Sequence, residues 1–233
     1  MTREQYIQNN FETYQLISVL SDKNECKVLR IRHKRLKRDI VLHSLPTAVK
    51  TYDVLCGIKS ENLPEIYDVI NLDDGQIVLE EFIDGITVAQ VMQSGKYHYR
   101  GAKKVLKGVC NALSVLHKRN LVHRDVKPDN VMIDKNGRVI LIDFNASRKI
   151  STAKKDTVVM GTVGYASPEQ LGVSQSDSRT DIYALGILFN VMLTGKHPSE
   201  KLPYLRARKI IKKCTNVNPN DRYRTVKKLS ESL

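Results

Sequence analysis

The sequence predicts an α+β protein with two lobes, a small β-rich amino-terminal lobe and a larger α-helical carboxy-terminal lobe. Most short segments rich in β-branched and aromatic residues lie before residue 83, whereas apolar residues at helical spacing dominate after residue 85. No linker rich in Pro, Gly or Ser separates the two parts, and the 233 residues contain no internal repeat. We therefore expect one domain, composed of an arm at 1–13, a small lobe at 14–83 and a larger lobe at 84–233.

The small lobe is predicted to contain five strands and one helix. Short β-rich runs separated by polar turns indicate the strands, and Asp73, Asp74 and Gly75 indicate the turn between the last two. Apolar residues that recur every three positions indicate a helix over 48–58. The polar arm at 1–13 is expected to be a short helix or a frayed end. The predicted strands cover 14–20, 28–32, 40–43, 66–70 and 76–82.

The larger lobe is predicted to be mainly helical. The segment at 181–193 is almost wholly apolar and predicts a buried helix, whereas the segment at 102–117 carries apolar residues on one face. A polar turn at 134–137 joins two short apolar runs. The predicted helices cover 102–117, 181–193, 210–214 and 225–233, and the short apolar runs cover 131–133 and 139–142.

Composition excludes several classes of protein. Hydrophobic residues make up 41% of the chain, and no apolar run approaches the ~18 residues that a membrane-spanning helix needs. The first residues are not followed by an apolar segment, so we expect no secretory signal. The four cysteines are scattered and form no C-x-x-C pair, which argues against a zinc site or a disulfide framework. Reduced thiols and a cytoplasmic location are the natural interpretation.

The formal net charge of +13 is concentrated in one segment. Residues 23–38 contain eight Lys or Arg and one acid, Glu25. This segment is expected to be either a solvated hairpin or a docking surface for phosphates or for an acidic partner. Basic and aromatic residues do not interleave there as in a known nucleic-acid reader, so we expect no nucleic-acid partner.

Five short motifs follow one another in a fixed order. The segment at 123–130 fits H-R-D-x-x-x-x-N, a pattern in which the Asp carboxylate orients a hydroxyl and the Asn amide, directly after four variable residues, holds a metal. Each motif alone has an ordinary structural explanation, but the ordered set is highly specific. The other motifs are D-F-N at 143–145, G-T at 161–162 with S-P-E at 167–169, D-I-Y-A-L-G at 181–186 and D-R at 221–222.

This set resembles the eukaryotic-type (Hanks-type) serine/threonine protein kinases, and the resemblance extends from about Tyr14 to Leu233. The spelling at 167–170 and 181–186 resembles bacterial members of that family. The resemblance implies a bilobal kinase fold, transfer of the γ-phosphate of ATP to a hydroxyl of a protein substrate, and a requirement for magnesium ions.

The resemblance also assigns roles to residues of the larger lobe. Asp125 would be the catalytic base, and Asn130 and Asp143 would hold the magnesium ions through hard oxygen ligands. Lys127 would lie beside the γ-phosphate. Thr162 would bind Asp125 and help to fix the acceptor hydroxyl.

A regulatory role and two structural roles follow from the same resemblance. Arg124 would pair with a phosphorylated residue of the activation loop, for which Thr157 is the candidate and Ser151 and Thr152 are alternatives. Three further residues would have structural roles. Glu169 and Arg222 would form a buried ion pair, and Asp181 would anchor the catalytic loop.

The small lobe departs from the family pattern. The three glycine positions of the phosphate loop fall on Ser21, Lys23 and Cys26, which makes a close backbone approach to phosphate harder. His43 occupies the position of the phosphate-binding Lys, and the helix Glu that normally pairs with that Lys falls on Thr51. The phosphate grip of this chain is therefore expected to be unusual.

Other groups are expected to take over nucleotide binding. Lys23 and Lys27 lie in and beside the degenerate loop and are candidates for the missing cation. Backbone groups of Glu81 and Ile83 would bind adenine, while Glu80 places a carboxylate behind it, which is costly unless it is paired.

Two milder departures lie in the larger lobe. Asn145 replaces the Gly of D-F-G, and Asn tolerates positive φ better than most residues. Residues 199–208 replace a longer segment in which the family usually fits another helix, so we expect the larger lobe to be shortened after the buried helix.

Three functions are compatible with these features. The first is an active serine/threonine protein kinase. The second is a pseudokinase that acts as a nucleotide-binding or scaffold module. The third is a small-molecule phosphotransferase similar to the aminoglycoside kinases, which the Lys-Pro pair at 127–128 and the S-P-E segment at 167–169 disfavour.

Overall fold

The computed structural model describes residues 1–23, 25–150, 162, 164–171 and 176–233. The candidate phosphorylation site Thr157 and its alternatives Ser151 and Thr152 lie outside the described residues. The chain divides into two compact units. The first unit comprises Met1–Ser60 and Pro64–Ile83, and the second comprises Glu61–Leu63 and Asp84–Leu233.

The first unit is built on a five-stranded antiparallel sheet whose strands lie in the order β1-β2-β3-β5-β4. A helix precedes the sheet, and a second helix of six residues lies between its third and fourth strands. The elements are α1 (Arg3–Asn9), β1 (Tyr14–Lys23), β2 (Cys26–His33), β3 (Arg38–Leu45), α2 (Lys50–Leu55), β4 (Ile66–Leu72) and β5 (Gly75–Glu81).

One face of this sheet packs against α1. A capping box between Thr2 and Gln5 starts the helix, and its Tyr6 and Ile7 lie on the apolar cluster of the sheet. Successive side chains of a strand point to opposite faces, so every second residue of β2, β3 and β5 belongs to this cluster and the residues between them line the opposite face. The cluster on the face of α1 consists of Leu29, Ile31, Ile40, Leu42, Ile77 and Leu79.

The turn between β4 and β5 holds α1 in place. The Asp73 carboxylate accepts a hydrogen bond from the amino terminus of the chain at 2.6 Å, and the Asp74 carboxylate accepts one from the Arg3 amide at 2.8 Å. Gly75 follows with φ of +144°, and a Cβ there would lie 2.0 Å from the Leu45 carbonyl oxygen. Only glycine fits this close approach of two backbones.

The second unit is mainly helical and contains a three-stranded sheet, ordered β6-β8-β9, and the short pair β7–β10. Its longest helices are α4, with 19 residues, and α5, with 17 residues. The elements are β6 (Gly85–Thr87), α3 (Val88–Gln93), α4 (Tyr99–His117), β7 (Leu121–Val122), β8 (Val131–Asp134), β9 (Val139–Leu141), β10 (Arg148–Lys149), α5 (Ser178–Thr194), α6 (Leu205–Cys214) and α7 (Val226–Ser232).

Helix α5 lies in the core of the second unit, as its apolar sequence predicts, and contacts both α4 and α6. Gly186 permits a close approach of α5 to α6, because a Cβ on this residue would lie 2.5 Å from the Cys214 Cβ. The helix begins at the N-cap Asp177 and ends at Gly195, whose φ of +71° is typical of a glycine that terminates a helix.

The predicted class and most elements are confirmed, and the differences are local. The helix predicted over 48–58 is shorter, because Cys56 already leaves the helical conformation. Helix α6 begins at Leu205 instead of residue 210, and α3, β6, β7 and β10 were not predicted because they are too short to carry a periodic pattern. Among the described residues, no helix combines the length and apolar character needed to cross a membrane.

Candidate active site

A buried carboxylate fixes the start of the 123–130 segment. Asp181 lies in the first turn of α5 with 0% of its surface exposed. Its oxygens accept hydrogen bonds from the His123 amide at 3.0 Å and the Arg124 amide at 2.9 Å, and one of them lies 2.8 Å from His117 Nε2. Burial opposes ionisation of Asp181, but the His117 contact and the amide donors outweigh it and lower its pKa. The predicted anchoring role of Asp181 is confirmed.

Four of the predicted site residues come together after this anchor. Asp125 Oδ1 accepts a hydrogen bond from Thr162 Oγ1 at 2.7 Å. Asp125 Oδ2 accepts from Lys127 Nζ at 2.7 Å and from Asn130 Nδ2 at 2.9 Å. Lys127 Nζ also donates to Thr162 Oγ1 at 2.8 Å. The four side chains thus form one closed network around a single carboxylate.

The network keeps Asp125 ionised. Its side chain is 14% exposed, and burial by itself would raise its pKa. The hydrogen bonds from Lys127 and Thr162, together with the positive charge of Lys127, outweigh burial and place the pKa below its usual range. Asp125 is therefore a carboxylate at neutral pH, and both of its oxygens face fixed donors.

Backbone contacts place the Asp143 segment beside the Asn130 segment. The Ile142 amide donates to the Asn130 carbonyl at 2.9 Å, and Asp143 is the next residue along the chain. The fully buried Phe144 packs edge-on against the His123 ring, with 5.6 Å between the ring centroids. Asp143 itself adopts φ of +66°, a conformation that costs energy in a residue with a side chain.

The donor atoms of this region suit magnesium. The Asn130 amide nitrogen donates to Asp125, so the amide oxygen of Asn130 could serve as a metal ligand, and Asp143 could supply a carboxylate. Mg²⁺ prefers oxygen ligands and is commonly held by one or two carboxylates together with phosphate oxygens. No cluster of three or more His, Cys, Asp or Glu side chains with metal-binding geometry occurs in the described part of the chain.

The structure shows where the positive φ of the D-F-N segment lies. We expected Asn145 in place of Gly to be tolerated because Asn accepts positive φ, and the positive φ in this segment falls on Asp143. The Asn145 amide instead donates to Asp143 Oδ1 at 3.2 Å. The Asn side chain therefore imposes no left-handed strain here.

The predicted ion pair between Glu169 and Arg222 is confirmed. Two parallel contacts of 2.6 and 2.9 Å join the guanidinium to the carboxylate, and the side chains are 4% exposed for Glu169 and 0% for Arg222. Burial alone would raise the pKa of Glu169, but the Arg222 hydrogen bonds and charge lower it. The neighbouring Gln170 donates to the Arg124 carbonyl at 2.8 Å, a second contact that holds the start of the 123–130 segment.

In the first unit, His43 pairs with the carboxylate of Glu80, a partner that we had not expected. His43 Nε2 lies 2.8 Å from Glu80 Oε1, and both side chains are 6% exposed. The Tyr52 ring of α2 lies against the imidazole, with 5.8 Å between the centroids. Thr51, at the position expected for the helix Glu, is buried. Glu80 is therefore the acid that pairs with the residue at the Lys position.

The register of the strands would have revealed this pair. Val41 lies opposite Glu80 and His43 lies opposite Val78, so His43 and Glu80 are diagonal neighbours on one face of β3 and β5. The sequence shows both residues but not the register, because α2 and β4 separate β3 from β5 along the chain.

Lys23 and Lys27 lie on opposite faces of the sheet. Lys27 is the cross-strand partner of Ser44, the residue after His43, so Lys27 lies on the face opposite to His43. There it lines a surface cavity together with residues of α1. Lys23 is the partner of Cys26, the residue before Lys27, and therefore lies on the face of His43. The structure does not bring Lys27 together with the other candidate nucleotide-binding residues.

The two residues expected to bind adenine lie at the end of β5. The Glu81 amide donates to the Glu65 carbonyl at 2.9 Å, so an adenine contact of Glu81 would fall to its carbonyl. Ile83 follows the strand and is buried.

Comparison with known proteins identifies the family. A family model described as "Protein kinase domain" matches residues 20–233. The chain belongs to the protein kinase family. The kinase domain is 34% identical over 140 residues to the serine/threonine-protein kinase PrkC of Bacillus subtilis, an alignment that covers 59% of this chain and 22% of that protein.

Two further relatives give the same result. A Clostridium perfringens protein named as a probable serine/threonine-protein kinase is 29% identical over 199 residues, or 79% of this chain and 29% of the relative. The serine/threonine-protein kinase PknB of Mycolicibacterium smegmatis is 35% identical over 126 residues, or 52% of this chain and 20% of the relative. The chain thus aligns with less than a third of the length of these relatives. The Hanks-type family and the bacterial character expected from the motifs are confirmed.

Proposed function

We propose that this kinase domain transfers the γ-phosphate of ATP to a serine or threonine hydroxyl of a protein, with Asp125 as the base. The observation that carries the proposal is the network of Thr162, Lys127 and Asn130 around Asp125. The network supplies an ionised carboxylate of fixed orientation, which is what a group that orients and accepts a hydroxyl proton requires. Such a base must be held in place before the substrate arrives, because positioning contributes most of the catalysis in phosphoryl transfer.

Lys127 and Thr162 have distinct roles in this proposal. The Lys127 ammonium lies between Asp125 and Thr162 and brings a positive charge to the point where phosphate charge would develop. Thr162 holds the other carboxylate oxygen, so that the orientation of Asp125 toward an acceptor hydroxyl would be fixed from both sides. Arg124, buried beside the anchor, would pair with a phosphorylated Thr157.

Asn130 and Asp143 would hold magnesium through the amide and carboxylate oxygens described above. The metal supplies positive charge that offsets the charge of the phosphates. The protein supplies the orientation, because Asn130 is hydrogen-bonded to both the backbone and the side chain of Asp125.

Lys23 is the candidate for the missing cation in the first unit. It shares the sheet face of His43, whereas Lys27 does not. We expect Lys23→Ala to raise the KM for ATP by about tenfold, the effect of losing roughly 1.4 kcal/mol of binding. Lys27→Ala is the matched comparison, since it removes the same charge from the same hairpin. An equal loss in both variants would show that charge in general matters and that Lys23 has no special role.

Phosphate transfer from ATP and magnesium to a generic protein tests the main proposal. Asp125→Asn should lower the rate by a factor of about 10² to 10⁴, the usual contribution of a general base. Asp129→Asn is the matched control, because Asp129 is exposed in the same loop and, among the described residues, no side-chain hydrogen bond or ion pair joins it to the network. If Asp125→Asn retains the rate of Asp129→Asn, Asp125 is not the base.

A pseudokinase is the second candidate function, and the His43–Glu80 pair favours it. Glu80 takes up the imidazole at the position where the family carries its phosphate-binding Lys. Thermal melting with and without ATP and magnesium separates the two functions, because a ligand at 100 times its Kd stabilises the folded state by about 2.7 kcal/mol. A raised Tm without phosphate transfer would support a nucleotide-binding or scaffold module.

The basic hairpin supports a proposal about partners and location. Arg30 and Arg32 pair with Asp39, which neutralises part of the charge, while the basic residues at 34–38 are exposed. We propose that this turn is available to an acidic protein partner. Within the described residues, none of the four cysteines forms a disulfide, which supports a reducing compartment such as the cytoplasm.

A further inference from the structure

A stripe of positive charge runs along the solvent-facing side of α4. The helix contains Arg100, Lys103, Lys104 and Lys107 but no acidic residue. The stripe continues at helical spacing through Asn111 and Ser114, and Lys118 follows at the end of the helix.

This arrangement contradicts the usual rules for helix electrostatics. Arg100 occupies the first turn, where the helix dipole favours acidic residues, and His98 provides no side-chain cap. Lys104 lies four residues after Arg100 and three before Lys107, so like charges are neighbours on one face. A surface that departs from local preference in this way is a candidate functional site, because nothing within the helix compensates for the repulsion.

Two adjoining cavities follow the stripe. One, of about 470 Å³, lies between α4 and the β8–β9 turn, and the other, of about 540 Å³, lies between α4 and α7. They share Lys107 and Asn111, so together they form one groove, here termed the basic groove. Its charged residues are Lys104, Lys107, Lys118, Arg138, Lys227, Glu61 and Glu231.

Most of the positive charge in the basic groove is not neutralised within the described part of the chain. Two charged residues of the groove have partners outside it: Arg138 pairs with Asp134 at 3.1 Å, and Glu231 pairs with Lys228 at 3.1 Å. No ion pair within the described ranges involves Lys104, Lys107, Lys118 or Lys227. The groove therefore presents four ammonium groups to a ligand, and Glu61 is the one acid that no described cation pairs with.

We propose that the basic groove binds an acidic peptide segment in an extended conformation. The distance from Lys104 to Lys118 along the helix is about 21 Å, the rise of fourteen residues, which an extended chain of about six residues spans. Carboxylates of the peptide would meet the lysines. The amide and hydroxyl groups of Asn111, Asn136, Ser114 and Ser230 would bind its backbone.

The lining of the groove favours a peptide over other anionic partners. None of the lining residues is aromatic, so the groove lacks the stacking platforms on which single-stranded nucleic acid is bound. None of the large exposed apolar residues of the described chain lies in the groove, so it offers nothing to insert into a lipid surface. Charge complementarity combined with backbone-binding groups is typical of peptide recognition.

The test is fluorescence anisotropy with a labelled hexaglutamate peptide and the full chain at low salt. Lys104→Gln/Lys107→Gln should weaken binding by about five- to tenfold, since two exposed charge contacts are lost. Lys209→Gln/Lys212→Gln is the matched control, because these are exposed lysines at the same spacing on α6. The control should bind like the wild type, and a hexaglutamine peptide should not bind.

Several outcomes would overturn the proposal. Equal affinity of both double variants would show that the peptide follows net charge and not the groove. Tighter binding of a hexathymidine oligonucleotide or of anionic phospholipid vesicles, lost in Lys104→Gln/Lys107→Gln, would assign the groove to another partner class. The Tm of this variant should not fall, because it removes like-charge repulsion. Lys118→Gln, at the other end of the groove, should weaken peptide binding independently of any effect on α4 stability.

Discussion

Replacing Asp181 with Asn should loosen the 123–130 segment without changing the shape of the side chain. The carboxylate accepts from the His123 amide, the Arg124 amide and His117 Nε2 within 3.0 Å, and it is fully buried. Asn keeps one accepting oxygen but replaces the other with a donor. One buried backbone N–H then faces an NH₂ group and has no acceptor.

The expected loss of unfolding free energy follows from these contacts. A buried donor left without a partner costs about 1–3 kcal/mol, and the charge-assisted bond to His117 becomes an ordinary one at a cost of about 1 kcal/mol. The total of about 2–4 kcal/mol lowers the Tm of a domain of this size by roughly 5–15 °C. Arg124 adopts φ of +69°, a strained conformation that the Asp181 contact helps to hold. We therefore also expect phosphate transfer to fall by at least about tenfold.

Asp177→Asn is the matched control, because Asp177 lies at the start of the same helix. It caps α5 and pairs with Arg179 at 2.6 Å near the surface. Asn is as good a cap as Asp, and a surface ion pair contributes about 0–1 kcal/mol. Calorimetric melting of both variants checks the reasoning, with activity measured well below both midpoints. A change of about 1 kcal/mol shifts the Tm of a domain of this size by roughly 2–4 °C. If the Tm of Asp181→Asn lies within about 2 °C of the control, the loss is below about 1 kcal/mol and the anchoring role is refuted.

Three further predictions concern stability. Glu169→Gln should lower the unfolding free energy by about 3–5 kcal/mol in urea titrations, because it leaves the buried Arg222 guanidinium without its carboxylate, whereas Glu169→Met/Arg222→Leu should recover most of the loss. The pKa of Glu169 is lower in the folded protein than in the unfolded chain, so its stabilisation is complete above the unfolded value of about 4.3 and is lost as the pH falls through the folded value. Melting between pH 7 and 3 should therefore show a smaller acid-induced loss in Glu169→Gln than in the wild type, and identical slopes would contradict this. Gly186→Ala should cost about 1–3 kcal/mol, because its Cβ would lie 2.5 Å from the Cys214 Cβ, and an unchanged urea midpoint would show that α5 and α6 can separate at no cost.

Local patterns accounted for the fold class, the long helices and the identity of the motifs. Helices α4 and α5 were predictable because their burial follows a period set by the helix itself. The H-R-D-x-x-x-x-N segment places Asp125 and Asn130 close enough in sequence that one short turn brings them into contact. Elements of two or three residues, such as β7 and β10, could not be predicted, because pairing with a distant strand is what makes them strands.

Contacts between distant segments were decided by the tertiary structure. Asp125 and Thr162 are 37 residues apart, and so are His43 and Glu80. The resemblance to a known family supplied the first pair, whereas nothing in the sequence supplied the second.

The amino-acid sequence by itself determined which chemical groups this kinase domain carries and in what order, because residue types and helical periods are local properties. The tertiary structure decided which of those groups meet. A shift of one residue in strand register reverses the face of every side chain. The register therefore decided that Lys23 shares a face with His43, that Lys27 does not, and that Glu80 is the acid beside the imidazole.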